Sequence, residues 1–163
     1  MKLLIKRLLK EHLNSSQLII DVNNFLKLQL NDTTKYGDLL NSCDLAKGNC
    51  DTVSNALYQY LLSLGYDDGR LANIDLFTPK FETNDAHPEW KKIDSKFLVH
   101  SMLKVDDVYV DLTGSQYSPK QSGVKIYSKE DLSKLWSHYK IMKKDKNGNY
   151  IGGTSTNAKL NKL

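Results

Sequence analysis

The hydrophobic period of this chain changes at Gly65, and that change limits the fold more than any other feature. Before it, Cys50, Val53, Ala56, Leu57, Tyr60, Leu61 and Leu64 recur at steps of three and four, which puts them on one face of a helix. Gly65 follows as the expected C-cap. After it the pattern reads as strands over residues 71–77, 96–105 and 108–112, with a shorter one at 124–127. Asp106-Asp107 joins the second to the third as a hairpin turn. Upstream, residues 2–13 and about 17–30 are two further helix candidates, the second carrying Leu18, Ile19, Val22, Phe25 and Leu26 at helical spacing. Ser128 is expected to cap a last helix running to about His138, with Glu130 and Asp131 in its first turn. Helices first and an antiparallel sheet afterwards is the α+β pattern: N-terminal helices and a helix led by Cys50, packed on a small antiparallel sheet.

A length of 163 residues, 40% apolar and 26% charged, suits one domain with a hydrophobic core. We expect residues 1–142 to form it and the polar stretch 143–163 to be a flexible tail. The net charge of +4 comes from 23 basic and 19 acidic residues scattered along the chain. With no basic stripe and no nucleic-acid motif, nucleic acid is not an expected partner. Near the N-terminus Lys6, Arg7 and Lys10 interrupt the apolar run. A secretory signal needs an unbroken stretch of about 7–15 residues, and a membrane span roughly 20. The expectation is a soluble, cytoplasmic protein, with a membrane-surface helix at 2–13 as the lesser alternative. The Lys- and Asn-rich, Pro-poor composition would suit a phage, whose product would then work in the host cytoplasm, or an AT-rich bacterium. Two cysteines, Cys43 and Cys50, are too few for a disulfide scaffold. No Cys-x-x-Cys or His-x-x-x-His pair occurs, so neither a metal nor a cofactor is expected. The oligomeric state is not legible.

Three residues combine into chemistry. A thiol at the start of a helix faces unpaired backbone N–H groups and the positive end of the dipole, both of which favour the thiolate. Cys50 has that position, whereas Cys43 sits in a loop with no clear helix after it. Taken alone, Cys50 would read as a buried core cysteine. Of the four histidines, His12, His87 and His138 lie in polar surroundings, while His100 interrupts an apolar strand and so needs a polar partner. The hairpin supplies one. If Asp106-Asp107 is the turn, Val105 faces Val108, Lys104 faces Tyr109 and Met102 faces Asp111. His100 and Asp111 then share a face as diagonal neighbours, about 7–8 Å apart at the backbone. A one-residue slip would put Asp111 on the other face.

Gly48-Asn49-Cys50 leading into an amphipathic helix, then His100-Ser-Met-Leu-Lys, then Val108-Tyr-Val-Asp111-Leu-Thr-Gly-Ser-Gln116-Tyr117, resembles the transglutaminase-like branch of the papain-like cysteine enzymes. The resemblance covers about residues 45–118. It implies a papain-like core with Cys50 as nucleophile, His100 as general base and acid, and Asp111 orienting the imidazole. An oxyanion donor would join the Cys50 backbone N–H, with Asn49, Asn41 and Gln116 as candidates. It further implies acyl transfer at amide bonds of a protein or peptide substrate, by a peptidase (a thiol protease), a glutamine deamidase or a transglutaminase. Two positions depart from the pattern. Asp51 follows the nucleophile where many members carry an aromatic residue, and Ser101-Met102 follows the histidine where many carry a small residue and Trp. The alternative expectation is a catalytically inactive protein-binding module on the same fold.

Overall fold

The computed structural model of the chain describes residues 16–28, 49–79 and 99–142. The chain divides into two units, Met1–Gly37 and Asp38–Leu163. In the first, residues 16–28 form helix α1, with Leu18, Val22, Phe25 and Leu26 buried at the expected spacing. The expected helix at 2–13, the loop at 31–48, the start of the second strand at 96–98 and the tail at 143–163 lie outside the described residues. No described helix is long and apolar enough to cross a membrane.

The second unit is α+β. Its helices are α2 (Cys50–Ser63) and α3 (Lys129–Leu135). Its strands are β1 (Leu71–Pro79), β2 (Val99–Val105), β3 (Val108–Asp111), β4 (Lys125–Tyr127) and β5 (Trp136–Met142). They form one five-stranded sheet in the order β4-β3-β2-β1-β5, antiparallel throughout.

Helix α2 stops where Gly65 lets the chain turn. Gly65 has φ +88°, and the N–H groups of Gly65 and Tyr66 return to the carbonyls of Leu62 and Leu61 at 2.9 and 3.1 Å. That is the Schellman arrangement, which satisfies carbonyls the helix would otherwise leave open. Register then assigns the sheet faces. Ala72, Ile74 and Leu76 stand opposite Lys104, Met102 and His100, so these side chains share one face. There Ile74, Leu76, Met102, Tyr109, Tyr117, Leu132 and Trp136 make the core, which α3 covers through Leu132. Asn73, Leu103 and Val110 lie on the other face, where α2 packs and Ser54 Oγ donates to Asn73 Oδ1 at 2.6 Å. The sheet is thus covered on both sides.

One element differs from the sequence expectation. Ser128 does cap a helix, its hydroxyl accepting from the Asp131 N–H at 3.1 Å. The helix ends at Leu135, however, and Trp136–Met142 runs back as β5 along the outer edge of β1. Pairing with an edge that is distant in sequence overrides the local preference to continue the helix.

Candidate active site

The site lies where the β2–β3 ladder ends. Paired residues are Val105↔Val108, Lys104↔Tyr109 and Leu103↔Val110, the register expected for an Asp106-Asp107 turn. Arg70 fastens that turn: its guanidinium donates to both Asp106 carboxylate oxygens, at 2.8 and 2.6 Å, and Asp106 sits at φ 51°. Strand β2 continues past the ladder, and there the Ser101 backbone N–H donates to the thiol of Cys50, the first residue of α2. The Asp51 N–H donates to the same sulfur, and His100 hydrogen-bonds it through its ring. The helix start therefore acts as expected on Cys50, with a strand N–H added that spacing alone does not reveal.

His100 is fully buried. Its Nε2 lies 3.0 Å from Asp111 Oδ1, which also accepts the Thr113 N–H at 2.9 Å. The ring stacks on Trp136 (centroids 5.4 Å apart, planes 18° apart) and meets the Tyr117 ring edge-on at 5.0 Å. The Tyr117 hydroxyl donates to the Val99 carbonyl at 2.9 Å, tying the start of β2 to the turn after β3. Trp136 and Tyr117 thus hold the imidazole plane. The sequence pattern places Trp136 in the last helix, whereas it opens β5 beside His100.

Burial pushes the Cys50 thiol up, but the His100 hydrogen bond and charge, with the two backbone N–H groups, hold it below the ordinary 9.0. Burial pushes His100 down, and the charge and hydrogen bond of Asp111, followed by those of Cys50, lift it to about 10. Both shifts favour a thiolate–imidazolium pair. Burial, then the charges of Cys50 and Asp111, keeps the Tyr117 phenol protonated.

The pair sets a pH dependence of stability. His100, raised on folding, contributes stability fully present below 6.5 and lost as pH rises through about 10. Cys50, lowered on folding, contributes stability present above 9.0 and lost as pH falls through its lowered value. Where both limbs act they cancel, because folding then only moves a proton from sulfur to nitrogen. The net loss therefore appears as pH climbs from 9.0 through about 10. Denaturant unfolding across pH is expected to show that alkaline limb in wild type and not in the Cys50→Ala/His100→Ala double variant. Parallel curves would contradict it.

Gly114 has a steric duty. A Cβ there would meet Asp111 Oδ2 at 2.7 Å and Gln121 Cβ at 2.9 Å. Gly114→Ala is expected to cost about 1–3 kcal/mol and to push the carboxylate off His100, raising the Cys50 thiol pKa. Denaturant unfolding and a thiol titration check the two effects.

The remaining candidates are dispersed. Asn49 is exposed at the N-cap of α2, beside the nucleophile. Gln116 is buried, with Nε2 3.2 Å from His100 Nδ1. Asn41 and Cys43 lie outside the described residues, as do His12 and His87. Asp51 is exposed. Beside Cys50 is a cavity of about 10 Å³, walled by Ser54, Ser101 and Thr113 on its polar side and Val53, Leu57 and Val110 among its apolar lining. It is the size of one water. Among the described residues no three His, Cys, Asp or Glu side chains gather as metal ligands.

Comparison with models of protein families, with curated proteins and with solved structures finds no match.

Proposed function

We propose that this chain is a cysteine-nucleophile enzyme with a papain-like core of the transglutaminase-like branch, transferring acyl groups from amide bonds of a protein or peptide. The observation that carries the reading is the buried His100 ring, hydrogen-bonded to the thiol that opens α2 and to the Asp111 carboxylate. Asp111 accepts a hydrogen bond from Nε2–H, which leaves the Nδ1 lone pair to receive the proton of Cys50. The thiolate attacks the carbonyl carbon and the carbonyl electron pair moves onto oxygen. Collapse breaks the C–N bond as His100 gives its proton to the departing nitrogen. A thioester on Cys50 remains. Water, deprotonated by His100, releases the acid in a peptidase or glutamine deamidase. An amine acceptor gives a cross-link instead. The Cys50 backbone N–H and the exposed Asn49 amide stand at the helix start as oxyanion donors, with Asn41 a further candidate.

The test is reaction with a nitrophenyl acyl ester, read as a burst of nitrophenolate and as an acyl adduct mapped by mass spectrometry. The reading expects the adduct on Cys50 and none in Cys50→Ala. Equal release by wild type and Cys50→Ala would overturn it. A second reading, an inactive protein-binding module on the same fold, is favoured by the water-sized cavity at the thiol. It expects Cys50 to react like an ordinary cysteine.

A further inference from the structure

The family resemblance puts Gln116 among the candidate oxyanion donors, but its amide is engaged elsewhere. Gln116 closes the 3₁₀ turn Gly114–Gln116 after β3 and is 3% exposed. Its Nε2 donates to the Thr113 carbonyl at 3.1 Å and lies 3.2 Å from His100 Nδ1. A carbonyl only accepts, so the contact with Thr113 requires the NH₂ end of the amide. The same NH₂ end therefore faces Nδ1. An N–H pointing at Nδ1 is satisfied only while that nitrogen carries a lone pair, and the carboxylate at Nε2 requires a proton there. Gln116 and Asp111 together specify one neutral tautomer.

We propose that Gln116 is a positioning residue that holds His100 Nδ1 as an acceptor and restrains proton transfer from Cys50. The inference rests on the catalytic reading above. In the transfer the S–H bond breaks, the Nδ1–H bond forms, and the hydrogen bond from Gln116 to Nδ1 is lost, leaving two donors face to face. Cys50 from α2, Asp111 from β3 and Tyr117 from the following turn are the titratable groups facing the ring. The first two favour the imidazolium and Tyr117 stays neutral. Gln116 is the opposing influence. It opposes the thiolate–imidazolium pair that Cys50 and Asp111 favour, and when the ring is neutral it fixes the proton on Nε2 and the lone pair on Nδ1.

The test is the thiolate absorbance of Cys50 against pH in wild type and Gln116→Met, which keeps the length and removes the donor, together with nitrogen NMR of the His100 ring in wild type. A net hydrogen bond of ordinary strength corresponds to a downward shift of the thiolate midpoint by about 0.5–1 pH unit in the variant. A merely structural Gln116 would leave the midpoint alone or raise it. A low wild-type midpoint with no downward shift overturns the inference and leaves the catalytic reading standing. A wild-type midpoint at the ordinary thiol value overturns the catalytic reading. The NMR then decides the inference: a proton on Nε2 and a hydrogen-bonded lone pair on Nδ1 support it, and a proton on Nδ1 of the neutral ring refutes it. The wild-type spectrum, taken above the titration of the ring so that it is neutral, decides it equally if the variant does not fold.

Discussion

His100→Ala is expected to slow acylation of Cys50 by about 10²–10⁴. Without the ring, the hydrogen bond and charge that lower the thiol are gone, while burial still pushes it up. The two backbone N–H groups still lower the thiol, but the main opposition to burial is gone, so less of it is ionised at neutral pH. Loss of thiolate is one part of the slowing. The rest is the proton that His100 supplies to the leaving group, which an activated ester needs least and an amide most. The ratio of wild-type to variant rate should accordingly be larger for an amide than for a nitrophenyl ester. Stopped-flow acylation followed by single-turnover amide cleavage measures both. Near-ultraviolet circular dichroism checks that the Trp136–Tyr117 packing survives removal of the ring that contacts both.

Asp111→Ala is expected to be the most destabilising single change in the site. Two donors converge on Oδ1, the Thr113 N–H at 2.9 Å and His100 Nε2 at 3.0 Å, and all three groups are buried. Truncation orphans both, at about 1–3 kcal/mol each. Against a typical total stability of about 5–15 kcal/mol, that is a substantial fraction. Asp111→Asn separates charge from geometry. Its carbonyl oxygen can still accept both N–H groups, so most of the stability should remain. The negative charge that heads the causes raising His100 is nevertheless gone, so His100 falls and the Cys50 thiol rises. Urea unfolding and thiol titration of the two variants should show a large stability loss for Ala, a small one for Asn, and a raised thiol pKa in both. Equal stability for Ala and wild type would show that Oδ1 does not hold the turn.

The meeting of His100 and Asp111 was legible because a two-residue turn at Asp106-Asp107 leaves one register, and register decides which face each side chain takes. The role of the helix start at Cys50 was legible for a similar reason, since Gly65 and the three-four spacing bound the helix from both ends. What was hidden depends on contacts through space. Ser128 announces where α3 begins but nothing nearby announces that it ends at Leu135, because β5 is selected by the distant edge of β1. Trp136 therefore gave no sign that it would stack on His100. Nothing in the sequence around Gly114 signals the Asp111 carboxylate that lies against it. The resemblance names Gln116 as a candidate oxyanion donor, whereas its amide faces the Thr113 carbonyl and His100 Nδ1. Spacing could not say which atom its amide would face, because the 3₁₀ turn that folds it back onto His100 is set by the same Asp111–Thr113 bond.

The central claim is that Cys50 and His100 share one proton in a buried pair, and the rate of iodoacetamide alkylation against pH tests it most directly, with mass mapping of the labelled cysteine. In wild type, Cys50 should label fast below pH about 7, well under the ordinary thiol range near 8.5, and His100→Ala should lose that rate. Labelling that follows an ordinary thiol titration in wild type, unchanged in His100→Ala, would contradict the account and leave the binding-module reading in its place.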